Sequence, residues 1–582
     1  MAIRGDIKDE EKNSIVLTSF QGGMRRDVDP SELNDNEYVH GQNIRVRDGY
    51  VRPIKYPQNI SNSIPEGKKQ GIYGFDSILV VFNGGKAYAI DYSLENAQYS
   101  LIFGFQMDEQ VDRIYAQDVP ASWMNFERKL NDTTDITSNI NFLSQIAGTP
   151  SALVCQDGIS RPNLIFSTGS ARIAKDITEW NNSELEKIDT REYVPIGKQM
   201  LYHPDGILFI ISPDGKELYR SVTGRPLDFV IAIDGEGNKL TPLTSGKPEA
   251  SRMGYNLDYS SLNVLYNVNS SPRVDSEGSG FFVGAQKKSW LVYPSYAQVI
   301  YNEPRFRNQT LFASGPLNQD SIGEASGDTV LINESGPMTF NAIGNFQNEG
   351  KNSPFYKPVS KLFDRITQTT TCIGMYDDYT LFAVNTLHGQ GVLVYDNLTQ
   401  SFVSLDIYPE VIGVIKQFAL IKVRGIKRLF FITTGDQLFE AFAGTTAEWL
   451  IYSREASSVD TEKELIPRRF RITLANILED GTLTLQEFVD RRSGSLRSRA
   501  VKANTVLNIP PISIPFGEST SDTIENASFP LEIPLKGEKV GVLISGNFDC
   551  ELQKIQMILE GDEQAITDSE KGKAFTETRG SL

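Results

Sequence analysis

Between about Gly71 and Arg454 the chain repeats one short pattern: a run of apolar residues, a tight turn, then a second strand. Ile78–Phe82 turns at Gly84-Gly85 into Lys86–Ile90, and Ile207–Ile211 turns at Pro213-Asp214-Gly215 into Glu217–Tyr219. Gly280–Gly284 precedes Ser289–Tyr293, and Thr329–Ile332 turns at Glu334-Ser335-Gly336 into Met338–Phe340. Leu381–Val384 passes through Gly389-Gln390-Gly391 into Val392–Tyr395, and Leu429–Ile432 turns at Gly435-Asp436 into Leu438-Phe439. A short apolar run without alternation is a strand buried on both faces. A hairpin of that kind cannot cover both faces by itself, so its neighbours must. Recurrence at a step of roughly 45 to 75 residues suits propeller blades carrying insertions. A β-sandwich is the rival reading, but sandwiches seldom need so many similar hairpins over such a length.

Beyond Glu464 the period changes to two. Phe470, Ile472 and Leu474 alternate with polar residues, as do Leu483 and Leu485, and Leu531–Leu535, Val540–Ile544, Phe548, Cys550 and Leu552 follow with Pro and Gly punctuation. That is the pattern of a small sandwich. Near the N-terminus, Asn43–Arg52 alternates about Asp48-Gly49, a strong hairpin turn. Residues 122–148, with Ile136, Ile140 and Leu143 on one face and Gly148 as a C-cap, predict a helical insertion, and 356–368 a second short helix. The expected fold is mainly β: a β-propeller with short helical insertions and a C-terminal β-sandwich-like domain. The expected divisions are an N-terminal arm and hairpin (1–57), the propeller (58–455), the sandwich (456–560) and a mobile polar tail (561–582).

Composition agrees with many short strands. The 582 residues include 47 Gly for turns and 23 Tyr and 31 Phe for pleated, half-buried surfaces. The net charge of −17 argues against a general nucleic-acid binder, though not against a wall past which DNA slides without adhering. Cys155, Cys372 and Cys550 are odd in number and far apart, so no disulfide framework is expected. The first twelve residues are charged, and no apolar run reaches the roughly 18 to 20 residues of a membrane span. A soluble chain folded in the cytoplasm, without a standard export signal, is expected.

Candidate chemistry is sparse. His40, His203 and His388 precede Gly41, Pro204 and Gly389, which marks them as turn residues without metal-ligand spacing. Gly84-Gly85-Lys86 and Gly246-Lys247 lack the upstream glycine of a phosphate loop, and Gly278-Ser279-Gly280 feeds a strand rather than a helix. Asp377-Asp378 reads as a solvated turn, and the Ser212–Gly215 turn lacks the spacing of a sialidase Asp box. No catalytic, cofactor-binding or metal-binding residues are assigned, no cofactor is expected, and the chain is expected not to be an enzyme. Arg468, Arg469, Arg471, Arg491, Arg492, Arg497, Arg499 and Lys502 concentrate positive charge in an acidic protein. They form either a docking face for an acidic neighbour or an ordinary solvated sheet face, with DNA contact a third, weaker option.

The segment Phe20-Gln21-Gly22-Gly23-Met24, Asp27-Val28-Asp29-Pro30, Leu33, Glu37-Tyr38, Gln42–Arg45 and Asp48–Arg52 resembles the opening of short-tailed bacteriophage nozzle proteins. That family is also called tail tubular protein B or packaged-DNA stabilisation protein. Thr223–Phe229, Gly284 through Trp290 to Pro294, and Gly327–Leu331 leading to Gly336 echo it in the same order, whereas the C-terminal part matches only in style. The resemblance implies a structural virion protein of the phage tail, assembled in the host cytoplasm as a homo-oligomer, a hexameric ring. Its partners would be tail adaptor or hub proteins and tail fibres or a needle. Double-stranded DNA would pass transiently during ejection, along a negatively charged lumen. Abundant Asn, Ile and Lys suit the corresponding muzzle of a crAss-like phage. The competing readings are a tail-associated propeller that binds or degrades host surface glycan, and a receptor-binding or fibre-adaptor module.

Overall fold

Strands that are apolar on both faces need a neighbour on each side, and stacked sheets supply them. In the computed structural model, most of residues 14–560 are described; residues 1–13, 121–150, 177–193, 230–250, 255–260, 269–278, 295–305, 340–354, 458–464, 504–524, 561–582 and a few shorter stretches are not. Seven antiparallel sheets follow one another among the described residues. Blade 1 comprises Lys69–Phe75, Ile78–Asn83, Lys86–Asp91 and Tyr99–Leu101; blade 2 comprises Tyr115–Pro120, Ser151–Gln156, Asn163–Thr168 and Ala171–Asp176. Blade 3 is built from Met200–His203, Ile207–Ile211, Glu217–Arg220 and Ser251–Gly254, and blade 4 from Leu262–Asn267, Phe281–Ala285, Lys288–Pro294 and Phe306–Phe312. Ile322–Ala325, Asp328–Asn333 and Gly336–Thr339 make blade 5. Ile366–Tyr376, Tyr379–Thr386, Gly389–Asp396 and Ser401–Ile407 make blade 6. Blade 7 takes three strands in sequence, Ile415–Val423, Ile426–Thr433 and Leu438–Glu440; its outermost strand, Gln58–Asn59, comes from before blade 1.

The doubly apolar strands explain the ring. In blade 1, Ile78, Val80 and Phe82 pack toward blade 2 with Leu153, Cys155 and Ile165, while Leu79 and Val81 pack toward blade 7 with Ala419, Ile421, Phe430 and Ile432. Phe281 and Val283 of blade 4 face blade 3, and Phe282 faces Ile322 and Leu331 of blade 5. Blades 2 and 3, 5 and 6, and 6 and 7 meet through their innermost strands, and blade 7 meets blade 1. Each aromatic buried between blades contributes roughly 1.5–3 kcal/mol of transfer free energy. Among the described residues these sheets thus form a β-propeller of seven blades. Glycines set the closest approach: a Cβ on Gly74 of blade 1 would lie 1.9 Å from the Leu420 carbonyl oxygen of blade 7.

The second unit is a two-sheet sandwich. One sheet orders Glu525–Pro530, Ile466–Ala475, Glu551–Glu560, Tyr50–Pro53 and Ile44–Arg47, with Ser14–Leu17 also paired to Glu551–Glu560. The other orders Gly23–Met24, Glu37–Gln42, Trp449–Ser453, Lys539–Gly546, Gly481–Val489 and Arg492–Ser493. Phe470, Ile472, Leu474, Leu483, Leu485, Ile544, Ile555 and Met557 fill the space between them. The segment expected as a separate N-terminal arm therefore supplies strands to both sheets. The expected 356–368 helix is shorter: a 3-10 turn at Lys357–Val359 followed by α1, Ser360–Phe363. The helix expected at 122–148 and the tail after 561 lie outside the described residues.

Candidate functional site

Two places gather chemistry: the axis of the propeller, and the seam where the N-terminal strands meet blade 6. Innermost strands of a propeller point alternate side chains toward the axis, so residues distant in sequence converge there. Here they enclose a cavity of about 600 Å³ lined from six blades, including Tyr73, Arg113, Tyr115, Tyr266, Asp320 and Glu324. Arg113 Nη2 donates to Asp320 Oδ1 at 2.8 Å, and the Tyr115 hydroxyl donates to Gln319 Oε1 at 3.1 Å. Tyr73 donates its hydroxyl proton to Asp118. Two glutamines are spent on the scaffold: Gln417 Nε2 donates to the Ile72 carbonyl at 2.8 Å while Oε1 accepts from Ile72 N at 3.0 Å, and Gln199 grips Leu265 in the same two-sided way. Burial pushes the Glu324 carboxyl up; burial, then the nearby Glu324, pushes the Tyr266 phenol well above its ordinary value.

The seam is built on charge. Arg45 makes a two-pronged contact with Asp406, Nη1 to Oδ1 at 3.1 Å and Nη2 to Oδ2 at 2.7 Å, and the Asp406 side chain is fully buried. Ser404 Oγ adds a 2.6 Å hydrogen bond to the same carboxylate. Arg47 reaches Asp396 Oδ2 at 3.0 Å and Asp378 Oδ2 at 3.3 Å, with its guanidinium 4.0 Å from the centre of the Tyr379 ring. The Tyr38 hydroxyl donates to the Val403 carbonyl at 2.6 Å. Asn43, held at φ 56°, accepts from Ile407 N at 2.9 Å and donates to the Glu448 carbonyl at 2.6 Å. Gly23, at φ 77°, leaves no room for a Cβ, which would sit 2.6 Å from the Phe402 carbonyl oxygen. Gly23, Tyr38, Asn43 and Arg45, four of the residues that carry the family resemblance, help to bolt the sandwich to blade 6.

The structure separates the histidines expected in turns. His40 lies in the strand Glu37–Gln42, where burial and then Arg26 push its pKa down to about 4. His203 is buried in a blade 3 strand, its Nε2 3.0 Å from the Ser279 carbonyl oxygen, with Nδ1 accepting from Asp205 N at 3.2 Å. Gly41 continues a strand, so His40 is not a turn residue, whereas His203 opens the turn through Pro204, its carbonyl accepting from Gly206 N at 2.9 Å. His388 and Gly246-Lys247 lie outside the described residues. Asp377-Asp378 does form a two-residue turn between Tyr376 and Tyr379. The basic residues split between the sheets, Arg468, Arg469 and Arg471 in one and Arg497 and Arg499 in the other. Arg469 and Arg497 meet at Pro530, which pairs with Arg469 and whose carbonyl accepts from Arg497 Nη1 at 2.6 Å. No group of three or more potential metal ligands occurs among the described residues. None of the helices there is long and apolar enough to cross a membrane.

No family model and no curated protein matches the chain. Solved structures do align with it. The exo-β-1,3-galactanase of Phanerochaete chrysosporium, solved with galactose, aligns over 87% of this chain and 100% of its own at 8% identity and a TM-score of 0.24. The C-terminal WD40 domain of Sif2 aligns over 74% and 97% at 8% identity and a TM-score of 0.31. The exo-inulinase of Aspergillus awamori aligns over 88% and 98% at 7% identity and a TM-score of 0.25. The expectation that the chain is not an enzyme is corrected on this finding, because glycoside hydrolases stand among the aligned structures. Overlays this loose assign no reaction to the chain, and its fold rests on the strand pairing itself.

Proposed function

We propose that this chain is a wall subunit of a short bacteriophage tail, a nozzle component that forms a ring of copies around the DNA exit path. The observation that carries the reading is the seam. The stretch Phe20–Arg52, which resembles the opening of nozzle proteins, supplies Arg45, Arg47 and Gly23 to a junction of two β units made by buried charge pairs and a close backbone approach. A wall that contains pressurised DNA needs its parts fused rather than hinged. The propeller axis is not the DNA path: a cavity of about 600 Å³ is of small-ligand size, whereas the major groove of a duplex alone is about 12 Å wide. DNA would run along an outer face of each copy, past a surface whose net charge of −17 discourages adhesion. The basic strip around Pro530 is then the contact offered to an acidic neighbouring subunit.

Imaging of intact virions with an antibody fragment against the sandwich tests this reading. Six-fold label on the tail axis is the expected result. Label away from the axis, or a virion lacking the protein, ends it.

A further inference from the structure

We propose that the axial cavity of the propeller is a binding site for a neutral sugar. The proposal does not depend on the tail reading, because it concerns the interior of a single copy.

The cavity's size comes first. About 600 Å³ lies within the range of roughly 300–1,000 Å³ typical of small-molecule sites. Its lining then narrows the ligand class. Tyr73, Tyr115 and Tyr266 supply ring faces and hydroxyls, Gln117, Gln319 and Asn267 supply amides, and the Arg113–Asp320 pair supplies a donor and an acceptor side by side. Paired donors and acceptors beside aromatic faces match vicinal hydroxyls on one edge of a pyranose and C–H groups on its face. An anion is disfavoured, since Arg113 is answered by Asp320, and Glu324 and Asp118 add negative charge close by. A purely apolar ligand would strand the amides and phenols.

The wall also holds unmet hydrogen-bonding capacity. Asn267 Nδ2 donates to the Tyr202 carbonyl at 3.0 Å, but its Oδ1 is buried without a partner among the described residues, as are Nε and Nη1 of Arg113. Unpaired groups of this kind each cost about 1–3 kcal/mol. Those three atoms are sealed from solvent, so they make no ligand contact and recognition falls to the groups that face the cavity. The Tyr266 phenol stays protonated at neutral pH because burial and Glu324 disfavour its anion, so it is available as a donor.

The test is binding to the full-length protein, read by saturation-transfer NMR and calorimetry. The probes are D-galactose, D-glucose and N-acetyl-D-glucosamine, with putrescine and inorganic phosphate as the cationic and anionic alternatives. At least one sugar is expected to bind saturably, with a dissociation constant of roughly millimolar order. Tyr266→Phe is expected to weaken that binding about tenfold with an unchanged unfolding temperature, and Gln319→Leu, a second and independent wall position, to weaken it as well. Saturable binding of putrescine or phosphate without any sugar would overturn the ligand class. Absence of sugar binding at tens of millimolar would overturn the site. Sugar binding left intact by both variants would place the ligand elsewhere on the molecule and overturn the assignment equally.

Discussion

Blade 1 and the seam at blade 6 are held together by opposite means. Blade 1 is joined to both neighbours by aliphatic and aromatic side chains that alternate along one strand, and its own strands follow one another in sequence. The seam joins residues more than 300 positions apart and relies on guanidinium–carboxylate pairs, two of them with a fully buried carboxylate, Asp406 and Asp396. Apolar packing is tolerant, since a neighbouring side chain can settle into small gaps. A buried charge has no such latitude, because a partner lost leaves the other ion desolvated. The ring can therefore accept sequence drift, whereas the seam fixes one relative placement of two units.

Removing Arg45 should break the seam most severely. Arg45→Ala strands Asp406 and is expected to cost about 3–5 kcal/mol. Denaturant unfolding followed by separate propeller and sandwich probes should then split into two transitions. A single unshifted transition would show that the two regions do not differ in this way.

His40, in the sandwich strand at the same seam, should give the seam a pH response of its own. Its folded pKa of about 4 lies below the ordinary 6.5, so the unfolded chain takes up a proton first as pH falls. Its contribution is complete above about pH 6.5 and is lost down to about pH 4. At roughly 1.4 kcal/mol per unit the loss is about 3 kcal/mol at most. His40→Gln should flatten the stability profile in that window relative to wild type.

Gly74 tests the tolerance of the ring. A Cβ there would meet the Leu420 carbonyl oxygen at 1.9 Å, so blade 7 must shift, and Gly74→Ala should cost about 1–3 kcal/mol. Hydrogen exchange should quicken in blades 1 and 7 and remain unchanged in the sandwich.

The smallest effect is expected at Glu487. It occupies the inward phase shared with Leu483, Leu485 and Val489, its Oε2 has no hydrogen-bond partner, and burial pushes its carboxyl up. Its charge therefore weighs against folding as pH rises through the raised value. Glu487→Gln should stabilise the protein by about 1 kcal/mol at neutral pH and by less in acid, as a melting series across pH would record.

Much of the propeller was legible because its signal is local. Each of the six hairpins read from apolar runs became the second and third strands of a blade. Blade 2 was not read, although Ser151–Gln156 and Asn163–Thr168 form its second and third strands across residues 157–162. The Asp48-Gly49 hairpin was legible too, but not its destination: period-two alternation identifies a strand and is silent about a partner at residue 552. The axial cavity left no trace in the sequence, since its wall takes short runs from segments scattered between residues 72 and 420. Glu487 inverted its pattern outright, a carboxyl where alternation calls for an aliphatic residue.

The strand Gln58–Asn59 has a consequence for biosynthesis. It leaves the ribosome early, yet its partner Phe439 emerges only after all seven blades have been translated. At about 5–20 residues per second that delay is roughly 20 to 75 s, during which the nascent ring stays open and presents unpaired edges. Ser14–Leu17 waits longer still, for Ile555–Ile558. Premature termination anywhere upstream of residue 438 should thus release a chain that chaperones hold or proteases clear, because only a polypeptide that reaches it can close the ring.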